Sequence, residues 1–490
     1  MMLNPEACSR AVSSRDPRFD GVFFVGITTT GIYCRPVCPA RVSYPDRRRF
    51  FDSAAAAERS GFRPCLRCRP ELAPGKALCD AVPRLARSAA LRIAEGALNG
   101  QSVDALAREL GVGGRQLRRA MERELGVSPV ELAQTHRLLL AKCLLTDTRL
   151  PVTRVAYSSG FQSLRRFNSV FRERYRMSPS ALRRGERRGP PVSAAESSGP
   201  GLVRLTLSYR PPLAWTALLE RLGREALPGI EVVADGRYGR TVQLGRYRGV
   251  VFLEHAPRGS HILLDLSLGL LPVLMPLIAR LRRLCDLDAE PAVIDAHLAG
   301  AGLGELVRRS PGLRMPVAFD GFEAAVVELV GAGSPALGAV VAATSEAMET
   351  GWPGLARVGP TPVGVASLGA RQLAALGVPG PRAEALVAVA RAARGTLRLE
   401  PGAEPAATLE ALRGIPDIDA VAATAIVMRA MHWPDAFSAQ DAELQRLWRA
   451  ADASELEHAA EAWRPWRAHA ATYLRASGGQ LPGSPLRAVT

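Results

Sequence analysis

Four cysteines in two tight pairs constrain this chain more than any other feature. Cys34 and Cys38 close the segment Gly31-Ile32-Tyr33-Cys34-Arg35-Pro36-Val37-Cys38, and Cys65 and Cys68 close Gly61-Phe62-Arg63-Pro64-Cys65-Leu66-Arg67-Cys68. Thiol pairs at such short gaps converge on one tetrahedral ion, and an all-sulfur donor set favours zinc. Arg35, Arg41, Arg63, Arg67 and Arg69 crowd the sulfurs, so the site lies in a field that attracts phosphate. The other four cysteines, Cys8, Cys79, Cys143 and Cys285, are scattered. This is metal-site usage in a reducing compartment, not a disulfide framework. Spacing alone leaves two readings open: a structural zinc knot, or a metal site that does chemistry on DNA.

The charge distribution narrows the choice of partner. Residues 1–185 carry 32 Lys and Arg against 16 Asp and Glu, whereas the rest of the chain carries 31 against 31. The entire net charge of +16 therefore belongs to the N-terminal part. One-sided excess of this kind argues for a polyanion, most simply double-stranded DNA. A solvated basic surface would explain abundant Arg but not its confinement to one end. The longest apolar run, Leu263 to Ile278, is broken by Asp265, Pro272 and Pro276, so no membrane span is expected. The opening Met1-Met2-Leu3-Asn4-Pro5-Glu6 lacks the basic and apolar blocks of a signal peptide. The expected location is a cytoplasm.

A chain of 490 residues is too long for one ordinary core and predicts about three or four domains. The stretch from Gly185 to Gly201 is rich in Gly, Pro and Ser without apolar periodicity and reads as a linker. Before it, one pattern occurs twice. Ser102-Val103-Asp104-Ala105-Leu106-Ala107 leads to Gly111 and then Gln116-Leu117-Arg118-Arg119; Pro151-Val152-Thr153-Arg154-Val155-Ala156 leads to Gly160 and then Arg165-Arg166-Phe167. A small Ala allows close helix packing, the Gly makes the turn, and the second helix presents Arg outward, which is helix-turn-helix logic. Gln116, Arg118, Arg119 and Arg123 are the candidate DNA contacts of the first copy. Arg165, Arg166, Asn168, Arg172 and Arg174 are those of the second. Leu117, Met121, Phe167 and Phe171 read as core by their spacing. After the linker, alternating segments near 203–209, 231–233, 241–244, 249–253 and 261–266 read as an antiparallel sheet with helices at 214–227 and 272–284. From about 289 to 478 the pattern is almost wholly helical.

These segments resemble three known families. Thr29-Thr30-Gly31-Ile32-Tyr33-Cys34-Arg35-Pro36-Val37-Cys38-Pro39-Ala40-Arg41 and the second cysteine pair resemble the metal-binding domain of Ada-type adaptive-response regulators. Residues 80–184 resemble the paired helix-turn-helix of AraC-type activators, and residues 201–480 resemble 3-methyladenine DNA glycosylase II of the AlkA type. The resemblance implies a multidomain, mostly α fold with α+β parts. Its parts are a small four-cysteine zinc α/β domain (1–75), an all-α paired helix-turn-helix domain (80–184), the linker (185–201), an α+β domain (202–288) and an all-α helix-hairpin-helix glycosylase domain (289–480). It implies one Zn2+ on Cys34, Cys38, Cys65 and Cys68, with Cys34 accepting a methyl group from DNA methylphosphotriesters and Arg35, Arg63 and Arg67 contacting DNA. Metal binding keeps a thiol as the nucleophilic thiolate. Capping one sulfur with methyl removes a negative charge, so methylation would raise affinity for DNA. Promoter DNA and RNA polymerase are the implied partners of a monomeric activator. No Pro-Cys-His-Arg signature of a methylguanine acceptor is present, so no O6-methylguanine repair is expected.

In the glycosylase-like part, Glu410 to Ala420 occupies the helix-hairpin-helix position, which makes Gly414 and Ile418 the implied DNA-docking residues. Family order makes Asp441 the catalytic carboxylate, stabilising an oxocarbenium-like sugar as a flipped, alkylated base leaves. Asp at a helix start also reads as an N-cap. The sequence departs from the family at Asp417 and Asp419, where the hairpin normally has Gly, at Ala332-Gly333, where paired Gln is expected, and at Val421 and Arg475, which replace aromatics. Trp463-Arg464-Pro465-Trp466-Arg467 follows the family, as do Trp433, Asp435 and Phe437. A non-catalytic DNA-binding or structural module is the alternative for this half.

Overall fold

The computed structural model describes residues 4–40, 43–75, 84–186 and 201–478. Arg41, Cys79, most of the expected linker and the first three residues lie outside the described residues. Two compact units result, one within Met1–Arg210 and Leu244–Ala279, the other within Pro211–Gln243 and Arg280–Thr490.

The first unit starts with helix α1 (Pro5–Ser14), capped by Asn4, followed by strands β1 (Phe24–Ile27), β2 (Ile32–Cys34) and β3 (Arg48–Phe51). Helix α2 (Ala54–Arg59) and the short strand β4 (Arg63–Pro64) complete the module. The sheet order is β3-β1-β2-β4; β1 is antiparallel to β2 and β3, while β2 runs parallel to β4. Alternation along β1 feeds two cores, because successive side chains point to opposite faces. Val25 joins Cys8, Ala11, Val12 and Phe23 beside the cysteines, and Phe24 joins Tyr33, Phe51, Ala57 and Phe62 on the other face.

Seven helices follow: α3 (Arg84–Ala94), α4 (Val103–Glu109), α5 (Gly114–Leu125), α6 (Pro129–Asp147), α7 (Val152–Ser158), α8 (Leu164–Tyr175) and α9 (Pro179–Glu186). The α4–α5 and α7–α8 pairs are the two repeats read from the sequence. Leu117, Met121, Phe167 and Phe171 are fully buried, as their spacing required. The long helix α6 opens with a capping box of Ser128 and Glu131 and Pro129 in its first turn, which fixes its start. The unit also contains β5 (Leu202–Ser208), antiparallel to His261–Ser267, which pairs antiparallel with Tyr247–His255.

The second unit contains the antiparallel pair Glu231–Ala234 and Arg237–Leu244 and then a helical array. One core gathers apolar faces of Gly321–Val330, Gly380–Ala393 and Ala420–Met431; another gathers Pro291–Leu298, Ala442–Trp448 and Arg467–Ala476 around the fully buried Trp463. The helical reading from 289 onward meets one exception. Ala347–Trp352 and Leu355–Arg357 form an antiparallel hairpin with Trp352 opposite Leu355. Pro353-Gly354 makes the two-residue turn, with Gly354 at φ +76°, a turn signal that outweighs weak strand propensity.

Candidate functional site

The strand pairing that orders the zinc-like module also assembles its sulfurs. Cys34 ends β2 opposite Val25, and the parallel β2–β4 register of Tyr33 with Pro64 delivers Cys65 immediately afterwards. The four cysteine sulfurs lie within 4.8 Å of one another. Sulfurs bound at about 2.3 Å to a tetrahedral ion sit roughly 3.8 Å apart. Cys34, Cys65 and Cys68 are buried, and the Arg35 backbone N–H donates to Cys68 Sγ at 3.3 Å. With protons shared inside the cluster, Cys34 is pushed up by its hydrogen bonds with Cys38, Cys65 and Cys68, while Cys65 is pushed down by its own bonds to Cys34, Cys38 and Cys68. A soft dication replacing those protons fits this all-sulfur set.

The arginines around the cluster divide into two kinds. Arg35 is 9% exposed; its Nε donates to Asp20 Oδ1 at 2.8 Å, its Nη2 pairs with Asp20 Oδ2, and its Nη1 donates to Cys68 O at 3.2 Å. Arg35 is thus an internal counter-ion bracing the metal loop, and it presents no guanidinium to phosphate, contrary to the sequence expectation. Arg69 is likewise engaged, 2.9 Å from Glu71 and 2.6 Å from Asp147 of α6. Arg67 is exposed and Arg63 half-buried, which leaves these two facing outward.

Two buried carboxylates tie the module to the helices of the same unit. Glu58 of α2 accepts from Tyr33 Oη at 3.0 Å and from Thr135 Oγ1 of α6 at 2.7 Å, with Arg174 Nη1 at 3.4 Å. Burial pushes the Glu58 carboxyl up, while Arg174, Thr135 and Tyr33 pull it down. Glu71 takes the fully buried ammonium of Lys142 on both oxygens, at 2.7 and 2.5 Å. Arg174 therefore faces inward to Glu58, not toward DNA, because its place on α8 sets it over α2. The helix partners Thr135, Lys142 and Arg174 lie more than seventy residues from their carboxylates in sequence, and no local pattern announces them.

The expected DNA-facing residues of the two repeats have surfaces free for contact. Gln116, Arg118, Arg119 and Arg123 on α5 are exposed, with Arg118 3.2 Å from Asp104. Arg165, Arg166 and Arg172 on α8 are exposed and Asn168 is half-buried.

In the second unit the helical hairpin joins Pro405–Arg413 to Ala420–Met431. Gly414 caps the first helix and Ile418 is buried beneath the turn. Asp417 adopts φ +63°, taking the left-handed conformation that Gly would hold without penalty. Asp419 caps the second helix, its Oδ1 accepting from Ala422 N–H at 2.7 Å. An amide that a phosphate would otherwise find at this helix start is already satisfied. Asp441 is buried and caps Ala442–Trp448, accepting from Leu444 N–H at 3.1 Å. Its second oxygen accepts from Arg475 Nη2 at 2.5 Å. Val421 is half-buried at the start of Ala420–Met431. Asp435 pairs with Arg467 at 2.9 Å and with Arg464, and Phe437 sets its edge on Trp463, so these residues form a structural clamp. The Asp441–Arg475 pair, 34 positions apart, was not legible in the sequence.

Family models match three parts of the chain: the metal-binding domain of Ada over residues 7–71, a helix-turn-helix domain over 106–185 and the AlkA N-terminal domain over 204–320. The chain is 36% identical over 481 residues to a Mycobacterium tuberculosis protein named probable bifunctional transcriptional activator/DNA repair enzyme AlkA, covering 96% of this chain and 95% of that one. It is 32% identical to DNA-3-methyladenine glycosylase 2 of Escherichia coli, covering 56% of this chain and 98% of that protein. Over 64 residues it is 47% identical to the bifunctional transcriptional activator/DNA repair enzyme Ada of Escherichia coli, which is 13% of this chain and 18% of that one.

Proposed function

The chain belongs to the family of Ada-type activators fused to AlkA-type DNA glycosylases, and from that membership we propose a residue-level account of how it works. It is a DNA-binding alkylation-response protein, a transcriptional activator joined to a DNA-repair enzyme. Its cofactor is one Zn2+, which Cys34, Cys38, Cys65 and Cys68 would hold. When bound, the ion supplies a thiolate at neutral pH.

In our reading Cys34 is the methyl acceptor. Its sulfur attacks the methyl carbon of a methylphosphotriester, the S–C bond forms as the C–O bond breaks, and the phosphodiester anion leaves. One negative charge disappears from the cysteine cluster, and Arg63 and Arg67 then face phosphate with less opposition. Arg165, Arg166, Asn168 and Arg172 of α8, with Gln116, Arg118, Arg119 and Arg123 of α5, read or hold promoter DNA, and RNA polymerase is the downstream partner of a monomer. We place the protein in the bacterial cytoplasm on the nucleoid. In the glycosylase domain the hairpin that runs through Gly414, with Ile418 buried beneath its turn, docks on the duplex, and Asp441 faces the sugar as the glycosidic bond breaks. Domain borders at 75, 184, 201 and 288 complete the proposal.

The observation that carries this reading is the convergence of four sulfurs within 4.8 Å in a unit that also presents two arginine-bearing helices. Mass spectrometry after incubation with methylphosphotriester DNA tests the first half: one methyl group should map to Cys34 and be lost in Cys34→Ser. Base release from methylated duplex DNA tests the second, and Asp441→Asn should lower it by about a hundred-fold or more. An unmodified Cys34 in zinc-loaded protein, or full release by Asp441→Asn, contradicts the corresponding assignment.

A further inference from the structure

Beside Asp441 stands a cation for which the reaction above has no use. Arg475 lies in the last turn of Arg467–Ala476 and reaches to the start of Ala442–Trp448. Its Nη2 donates to Asp441 Oδ2 at 2.5 Å and its Nε to Glu443 Oε2 at 3.1 Å. The other Asp441 oxygen already accepts from Leu444 N–H. The Asp441 side chain is 10% exposed and that of Arg475 38% exposed, so the guanidinium is the more open of the two paired groups.

We propose that Arg475 determines specificity, turning the Asp441 site against positively charged damaged bases and toward neutral ones. The inference rests on the assignment of Asp441 as the carboxylate that faces the sugar. A purine alkylated at N3 or N7 carries a formal positive charge, which a bare carboxylate in a part-buried site attracts before any bond breaks. With the guanidinium shared between Asp441 Oδ2 and Glu443, that attraction is weakened, because the three groups together carry one formal negative charge where the two carboxylates alone would carry two. A deaminated purine is neutral and loses no such attraction. The transition states differ in the same direction. When the glycosidic bond of a cationic base breaks, positive charge only moves from base to sugar. When that of a neutral base breaks, the leaving base takes the bonding electrons and becomes anionic. The guanidinium keeps N–H groups beyond those given to Asp441 and Glu443, and as charged donors these suit a developing anion. Arg475 thus penalises one class at binding and assists the other at bond cleavage, while its own pairing holds the Asp441 carboxylate in place.

The test compares kcat/KM for release of 7-methylguanine and of hypoxanthine from otherwise identical duplexes by the full-length protein and its variants. The wild type should favour hypoxanthine. Arg475→Gln should move the ratio toward 7-methylguanine by roughly ten-fold or more, and Arg475→Lys, which keeps the charge, should stay near the wild-type ratio. A merely structural role would lower both activities together and leave the ratio unchanged. A ratio unchanged in Arg475→Gln, with Asp441→Asn inactive on both bases, overturns the specificity role and leaves the Asp441 assignment standing. Undiminished release by Asp441→Asn overturns that assignment and this inference with it, as does failure of the wild type to release either base.

Discussion

Single side chains decide how the frame of this molecule is put to use. Asp417 holds a left-handed backbone at φ +63° and, with Asp419, places two exposed carboxylates on the helical hairpin. Asp tolerates this conformation better than most residues but gains nothing electrostatically beside a phosphate. Asp417→Gly should therefore change the unfolding free energy by less than about 1 kcal/mol, since relief of strain is offset by the added freedom of the unfolded chain. Steady-state base release should show KM for damaged duplex falling several-fold at nearly constant kcat. His136 on α6 gives a second residue-scale expectation. Burial pushes its imidazole down from 6.5 to about 4. Because the folded value lies below the unfolded one, the unfolded chain takes up the proton first as pH falls. The stability tied to neutral His136 is complete above about pH 6.5 and declines toward pH 4. Urea titrations across this window should show the decline, and His136→Gln should flatten its share.

At the scale of elements, the two helix-turn-helix copies share a plan but not a packing environment. Gly111 has φ +72° with nothing near the position a Cβ would occupy, whereas Gly160 has φ +90° and a Cβ there would lie 2.4 Å from the Asn99 side chain. Asn99 is itself held by Arg137 Nε at 2.7 Å, and its backbone oxygen by Gln162, so it has little room to retreat. Gly111→Ala should cost about 1 kcal/mol from backbone strain, and Gly160→Ala about 2–4 kcal/mol from strain and overpacking together. Equilibrium denaturation of the two variants separates them; equal losses would mean that Asn99 moves freely. Both turns were legible as Gly after a small-residue helix. Their inequality was not, because Asn99 comes from outside either repeat.

Across the whole molecule, charge and metal act at one end. The excess of 32 basic over 16 acidic residues in 1–185 predicts DNA affinity that falls steeply with salt. If the exposed Arg165 or Arg172 holds a phosphate, Arg165→Ala or Arg172→Ala should lower the slope of log affinity against log salt by about 1. A variant that weakened binding without changing the slope would instead mark base readout. Metal removal should reach further than chemistry, since Cys34, Cys65 and Cys68 also belong to the core around Phe23 and Val25. Treatment with a strong chelator should unfold the module, read as lost near-ultraviolet dichroism, and abolish methyl uptake together.

The sequence by itself determined the features whose physics is local: the cysteine pairs that can share an ion, the glycine turns, the helical periods, the one-sided charge and the order of the domains. The pairs, turns and periods depend on residues within a turn or two of one another, and the charge and domain order are read by summing along the chain, so none needs a long-range contact to be seen. Only the tertiary structure decided which charges are spent internally. Arg35 closes on Asp20, Arg174 on Glu58, Lys142 on Glu71 and Arg475 on Asp441, each across fifteen or more positions. An exposed arginine and a buried one are the same letter. What separates them is the carboxylate that folding brings alongside, and the burial that makes leaving it unpaired costly.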